Sequence, residues 1–155
     1  MFCDEGQRNI GRMSEMILPD LTATEAFAAR LADLAQAGDA ILLSGPLGAG
    51  KSALARAFLR AATGNPQLDV PSPSYTLVQS YSTRLGPVHH FDLWRLEGEE
   101  SVQELGWDEL SADIVLVEWP DRLGSLCPDH ALSITLRPDG YERRVATLTG
   151  WAGRL

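Results

Sequence analysis

Gly45-Pro46-Leu47-Gly48-Ala49-Gly50-Lys51-Ser52 is the stretch on which the reading of the fold turns. It follows the apolar run Ala40-Ile41-Leu42-Leu43-Ser44 and leads into an amphipathic segment from Lys51 to Ala62. A buried strand, a glycine-rich loop and a helix in that order satisfy the pattern G-x-x-x-x-G-K-[ST] together with its structural context. Glycines at 45, 48 and 50 permit backbone angles and a close approach that a Cβ forbids. The loop amides then converge on an anion, and the helix beginning at Lys51 adds the positive end of its dipole. Lys51 is placed to reach the β- and γ-phosphates of a nucleotide, and the Ser52 hydroxyl to ligate Mg²⁺. The expected nucleotide-binding stretch therefore runs from Gly45 to Ala53.

Composition frames this loop. The chain has 155 residues, 45% apolar and 22% charged, which suits one globular domain with a real core. Of 13 basic residues, one is Lys, and it is Lys51. Arg is forked and planar whereas Lys is a compact ammonium on a flexible stem, so position 51 selects for a point charge. The formal net charge of -8 argues against unaided nucleic-acid binding, which rests on neutralising phosphates with Lys and Arg. Cys3 and Cys127 are far apart with no zinc spacing, which predicts a reducing, cytoplasmic setting and no structural metal. No apolar run reaches the ~18 residues of a membrane span.

Outward from the loop, residues 1–15 show no periodicity and are expected to form a disordered extension, with residues 16–155 as one domain. Thr22 to Gln36 is expected to be a helix with Phe27, Leu31 and Leu34 on its inner face, capped by Thr22 with Glu25 or by Thr24. The helix after the loop should bury Leu54, Phe58 and Ala61, turn Arg56 and Arg60 outward, and stop at Gly64. Tyr75 to Tyr81 and Val88 to Phe91 read as a hairpin, and Glu97 to Leu110 as short helical turns. Ile114 to Val117 is the most apolar β-branched run and predicts a central strand. Ala131 to Arg137 and Arg143 to Leu148 flank the turn signal Pro138-Asp139-Gly140.

Hydrolysis requires more than a phosphate loop: a carboxylate for Mg²⁺ and a group that orients water. Asp92 follows one strand-like run and Glu118 another, and strand carboxyl ends line the ligand crevice of a parallel sheet. Spacing alone leaves each of them either at the phosphates or paired with an arginine such as Arg95 or Arg122.

The chain resembles the TsaE (formerly YjeE) family, the small ATPase of bacterial tRNA threonylcarbamoyladenosine biosynthesis. The resemblance is carried, in family order, by GPLGAGKS, SPSYTLVQSY at 72–81, HFDLWRL at 90–96 and VEWPDRL at 117–123. It implies an α/β, P-loop NTPase-like three-layer fold, a central mixed sheet with antiparallel hairpins and flanking helices. It implies ATP and Mg²⁺ as cofactors, with Gly45 to Ser52 on the triphosphate and Ser52 and Glu118 on the metal. It implies that Asp92 serves hydrolysis by placing water, that Thr24 lies near the base, and that Ser72 to Thr76 form a switch-like loop near the γ-phosphate. Ser52, Ala53 and Ser74 each replace a more usual Thr; Ser52 keeps the hydroxyl, while Ala53 and Ser74 touch nucleotide affinity rather than class. The implied partners are TsaB and TsaD, with tRNA reached only through that complex, no membrane, and a monomer or weak self-association when alone.

Around these residues, the four tryptophans read mainly as packing, with Trp119 best placed to sense nucleotide. His89 and His90 should point to opposite faces of a strand. Arg143 and Arg144 read as a solvated face, with an arginine finger as the alternative. The competing function is a nucleotide-gated binding module in which turnover is incidental. A small-molecule kinase lacks an Arg-rich lid, and a GTPase lacks an N-K-x-D guanine reader.

Overall fold

Alternation along the strands decides how the layers form. In the computed structural model, which describes residues 13–155, the chain is arranged in order as β1 (Ser14–Leu18), α1 (Leu21–Leu34), β2 (Ala40–Ser44), α2 (Lys51–Thr63), β3 (Val78–Thr83), β4 (Gly86–Asp92), α3 (Glu99–Glu104), α4 (Trp107–Leu110), β5 (Ile114–Glu118), a 3-10 segment (Pro120–Leu126), β6 (Leu132–Pro138) and β7 (Arg144–Thr149). The strands form one seven-stranded sheet in the order β1-β7-β6-β2-β5-β4-β3. Strands β4, β5, β2 and β6 are mutually parallel, whereas β3 pairs antiparallel with β4, and β7 with β6 and β1. The mixed sheet, its antiparallel edges and its flanking helices are the architecture expected from the sequence.

Residues two apart on a strand share a face. Ile41, Leu43, Ile114, Leu116, Leu132 and Ile134 pack with Phe27, Leu31, Leu54 and Phe58 of α1 and α2. Leu42, Phe91, Val115 and Val117 pack on the other side with Val102, Trp107 and Leu123. Both faces of β2 and β5 are thus covered, which is why these strands read as continuous apolar runs rather than alternating ones. Trp107 meets Phe91 edge-on with ring centroids 5.2 Å apart, a core role. Cys127 packs against the same cluster; Cys3 lies outside the described residues. No helix among the described residues is long and apolar enough to cross a membrane.

The structure corrects several local expectations. Residues 1–12, most of the expected extension, lie outside the described residues, but Ser14 and Glu15 belong to β1, paired with Leu148 and Thr147. That strand lacks a sequence signature because it is short and borrows its register from β7. The cap of α1 is Asp20, whose carboxylate accepts from the Ala23 amide at 2.9 Å, rather than Thr22 or Thr24. The inner face of α2 is Leu54, Ala55, Phe58, Leu59 and Ala62; Ala61 lies at its margin. Strand β3 starts at Val78 rather than Tyr75, because residues 74–76 form a turn in which the Leu77 amide donates to the Pro73 carbonyl at 2.7 Å, and Leu77 itself has φ 70.

Replacing Asp20 by Ala should lower the unfolding free energy by about 1 kcal/mol, as expected for loss of a helix cap. Thr22→Ala should change it by less than half as much. Urea unfolding of both variants checks the assignment.

Candidate functional site

The register of the parallel strands brings the site together. Asp92 lies beside Glu118, and Leu43 beside Glu118 on its other side, so β4, β5 and β2 end at one level. At that level β2 passes into the loop 45–50 and then into α2. Gly45 has φ +139, and a Cβ there would lie 2.3 Å from the Leu136 carbonyl oxygen of β6, so only glycine fits. Gly50, at φ 106, is the residue from which α2 starts.

Alternation places His90, Asp92 and Glu118 on the α2 side of the sheet, and there they meet the helix's first turn. Ser52 Oγ donates to Glu118 Oε1 at 3.0 Å, and His90 Nε2 donates to Glu118 Oε2 at 2.7 Å. Glu118 and His90 are 2% and 1% exposed. Asp92 accepts from Ser74 Oγ at 3.2 Å and from the Trp94 amide at 3.2 Å, and Ser74 Oγ lies 2.8 Å from Ser72 Oγ. His89, on the opposite face, sits between Ser80 Oγ at 2.7 Å and Asp113 Oδ2 at 2.9 Å, well away from the loop.

Lys51 is buried, and its ammonium donates to the Gly45 carbonyl and lies 4.0 Å from the centroid of the Trp119 ring. Trp119 reaches that position because its backbone is left-handed, at φ 60, turning the ring back over the loop as the chain leaves β5. Burial lowers the Lys51 pKa below its ordinary value, and the charges of Glu118, Asp92 and Asp121 counteract part of that shift.

Cavities lie on either side of the loop. One, of about 520 Å³, is lined by the loop, Lys51, Ser52, Asp92, Glu118 and Trp119, with Ser72 and Ser74 at its side. The second, of about 440 Å³, is lined by Thr24, Leu136 and Tyr141 and shares Ala49, Gly50, Ala53 and Arg144 with the first. Pro46 and Gly45 line a third, apolar recess with Trp119 and Pro120, while Leu47 stands exposed at the loop tip. The first cavity thus joins amides, an ammonium, a hydroxyl and two carboxylates, a donor set suited to a polyphosphate with a hard divalent cation.

The family model described as "Threonylcarbamoyl adenosine biosynthesis protein TsaE" matches residues 18–145. The chain belongs to the TsaE family. Similar relatives, each called tRNA threonylcarbamoyladenosine biosynthesis protein TsaE, come from Rickettsia bellii, 31% identical over 88% of this chain and 94% of the relative, and from Bacillus subtilis, 32% identical over 84% and 82%. The crystal structure of Bacillus subtilis YdiB superposes with a TM-score of 0.75 at 25% identity, covering 96% of this chain and 91% of that one.

Of the residues singled out by the TsaE resemblance, the structure gathers Lys51, Ser52, Asp92 and Glu118 around one cavity, with Ala53 between the two cavities. Thr24 is about one helical turn beyond the Asp20 cap and lines the second cavity. The arginine pairings weighed for the carboxylates do not form among the described residues: Arg122 bonds Asp121, and Arg95 lies over the Tyr75 ring. Sequence reasoning missed His90 as the partner of Glu118. Its signal was the two-residue step from His90 to Asp92, which puts both on one face. Sequence reasoning set Arg144 on a solvated face; it is half-buried there, and its guanidinium also reaches the Gly48 carbonyl at 3.4 Å.

The lowered Lys51 pKa has a definite sign in stability. The unfolded chain keeps the Lys51 proton up to about its ordinary pKa of 10.5, and the folded chain releases it earlier. Between those two values the unfolded state binds more protons, so this group's contribution rises with pH. Denaturant titrations from pH 7 to pH 10.5 should therefore show Lys51→Met as stable as wild type or more so at pH 7, with the gap closing as pH rises.

Proposed function

We propose that this chain is a Mg²⁺-dependent ATPase that serves tRNA N6-threonylcarbamoyladenosine formation in the cytoplasm, acting with TsaB and TsaD and meeting tRNA only through them. Membership of the TsaE family supports the pathway. The observation that carries the chemistry is the 3.0 Å contact between Ser52 Oγ and Glu118 Oε1 beside the ammonium of Lys51. A hydroxyl from the first turn of a helix and a carboxylate from a strand end, converging at a phosphate loop, are the protein share of a Mg²⁺-nucleotide site. Mg²⁺ is commonly held by one or two carboxylates together with substrate phosphates, and a hydroxyl plus Glu118 fits that need.

In this reading the amides of residues 45–52 hold the triphosphate, and Lys51 neutralises its β- and γ-oxygens. Bound Mg²⁺ would supply further charge neutralisation at those oxygens. His90 fixes the carboxylate of Glu118 so that its other oxygen faces Ser52. Asp92, held by Ser74 and the Trp94 amide, orients the attacking water. The second cavity, with Thr24, Leu136 and Tyr141, takes the base. The -8 charge and the acidic cavity walls favour docking on protein over gripping tRNA.

Three variants test these roles. Lys51→Ala should abolish ATP hydrolysis measured with TsaB and TsaD present; undiminished turnover refutes its role. Glu118→Ala should weaken the Mg²⁺ dependence of ATP binding by about tenfold, the scale of a lost charged contact. Asp92→Ala should lower turnover and change Mg²⁺ titrations little. The reverse order would exchange the two carboxylates. If TsaB and TsaD leave the wild-type rate flat while non-hydrolysable ATP analogues still support product formation, the chain is a nucleotide-gated module instead.

A further inference from the structure

Arg143 and Arg144 are neighbours in sequence but do opposite things. Arg144 is the first residue of β7, and Arg143 precedes the strand at the end of the hairpin turn. Arg143 turns to the hairpin end, where its Nε lies 3.0 Å from Asp139 Oδ2. Arg144 turns to the loop. Its Nη2 donates to the Gly48 carbonyl at 3.4 Å and its Nη1 to the Arg143 carbonyl at 3.0 Å. Among the described residues its hydrogen-bond partners are backbone carbonyls, so its charge has no carboxylate against it.

Its position is more informative than its partners. Ala49, Gly50, Ala53 and Arg144 line both the phosphate-side and the base-side cavities, and Arg144 is the one charged side chain of the four. The base-side cavity is otherwise acidic where it is charged, through Asp20 and Glu142. A ligand that lays a base in one cavity and its outer phosphates in the other must cross this divide with its inner phosphate. That phosphate would meet an acidic wall unless a cation stands there.

We propose that Arg144 binds the α-phosphate of the nucleotide at the divide between the two cavities, and so makes the site selective for a nucleoside di- or triphosphate over a bare polyphosphate. This rests on the nucleotide reading of the site. It differs from an arginine finger, which acts on the γ-phosphate and alters turnover. A forked guanidinium suits this place, because it keeps one N–H on the loop carbonyl while another meets phosphate oxygen.

The test is calorimetric titration of the full chain with Mg²⁺-ADP, together with displacement of a fluorescent ADP analogue by pyrophosphate, which occupies only the outer phosphate positions. Arg144→Gln should weaken ADP about tenfold, ~1.4 kcal/mol, and leave pyrophosphate within twofold of wild type. Arg144→Lys, which keeps the charge, should recover part of the loss, and Arg143→Gln should match wild type. Wild-type ADP affinity in Arg144→Gln overturns the assignment. Equal weakening of ADP and pyrophosphate also overturns it, by making Arg144 a prop for the loop. An unchanged ADP affinity with lost turnover would make it a finger. Failure of the wild-type chain to bind ADP at all, with TsaB and TsaD present, overturns the nucleotide reading itself.

Discussion

Everything at the site depends on the parallel register of β4, β5 and β2. Because Asp92 pairs with Glu118, and Glu118 with Leu43, two carboxylates and the glycine-rich loop meet at one end of the central strands. A shift of one residue in β5 would turn Glu118 to the α3 and α4 side and put an apolar residue opposite Ser52, since strand faces alternate. The register is held by burial on both sides: Leu116 and Ile114 face α1 and α2, while Val115 and Val117 face Trp107 and Leu123. The core therefore does more than stabilise the chain. It sets which carboxylate stands at the start of α2.

That arrangement concentrates buried charge. Lys51, Asp92 and Glu118 are 5%, 6% and 2% exposed, in a region where isolated ions are costly. Each is met by a specific partner: Lys51 by the Gly45 carbonyl and the Trp119 ring, Glu118 by Ser52 and His90, Asp92 by Ser74 and the Trp94 amide. Burial depresses the Lys51 pKa, while the neighbouring carboxylates of Glu118 and Asp92 offset part of that effect. Backbone strain clusters there as well. Trp119 and Leu77 both adopt positive φ, the first folding its ring over Lys51 and the second turning the chain from the Ser74 loop into β3. Such conformations persist where surrounding structure over-determines them.

Much of this was legible in the residues. The apolar run Ala40–Ser44, its glycine boundary and the helix from Lys51 appear as read, because local rules govern them: both faces of β2 are buried, and Gly64 closes α2 in a left-handed cap. The hairpin around Pro138-Asp139-Gly140 followed from turn chemistry. The failures share a different cause. Strand β1 carries no pattern of its own, since its pairing with β7 is a long-range event. The α1 cap shifted to Asp20 because Asp20, Thr22 and Thr24, within five residues, could each cap, and the geometry of the turn after β1 chose between them. His90 and Arg144 were read as bland because their partners lie 28 and 96 residues away.

By itself, then, the sequence determined that a single Lys stands at the mouth of a glycine loop between a buried strand and an amphipathic helix, and that two acidic residues follow strand-like runs. These are matters of local composition and spacing, set by backbone sterics and hydrophobic periodicity. Only the tertiary structure decided which acid touches Ser52, which histidine supports it, and which of two adjacent arginines faces the loop. Those choices depend on strand register and on the side from which each element packs, and neither is a property of any segment taken alone.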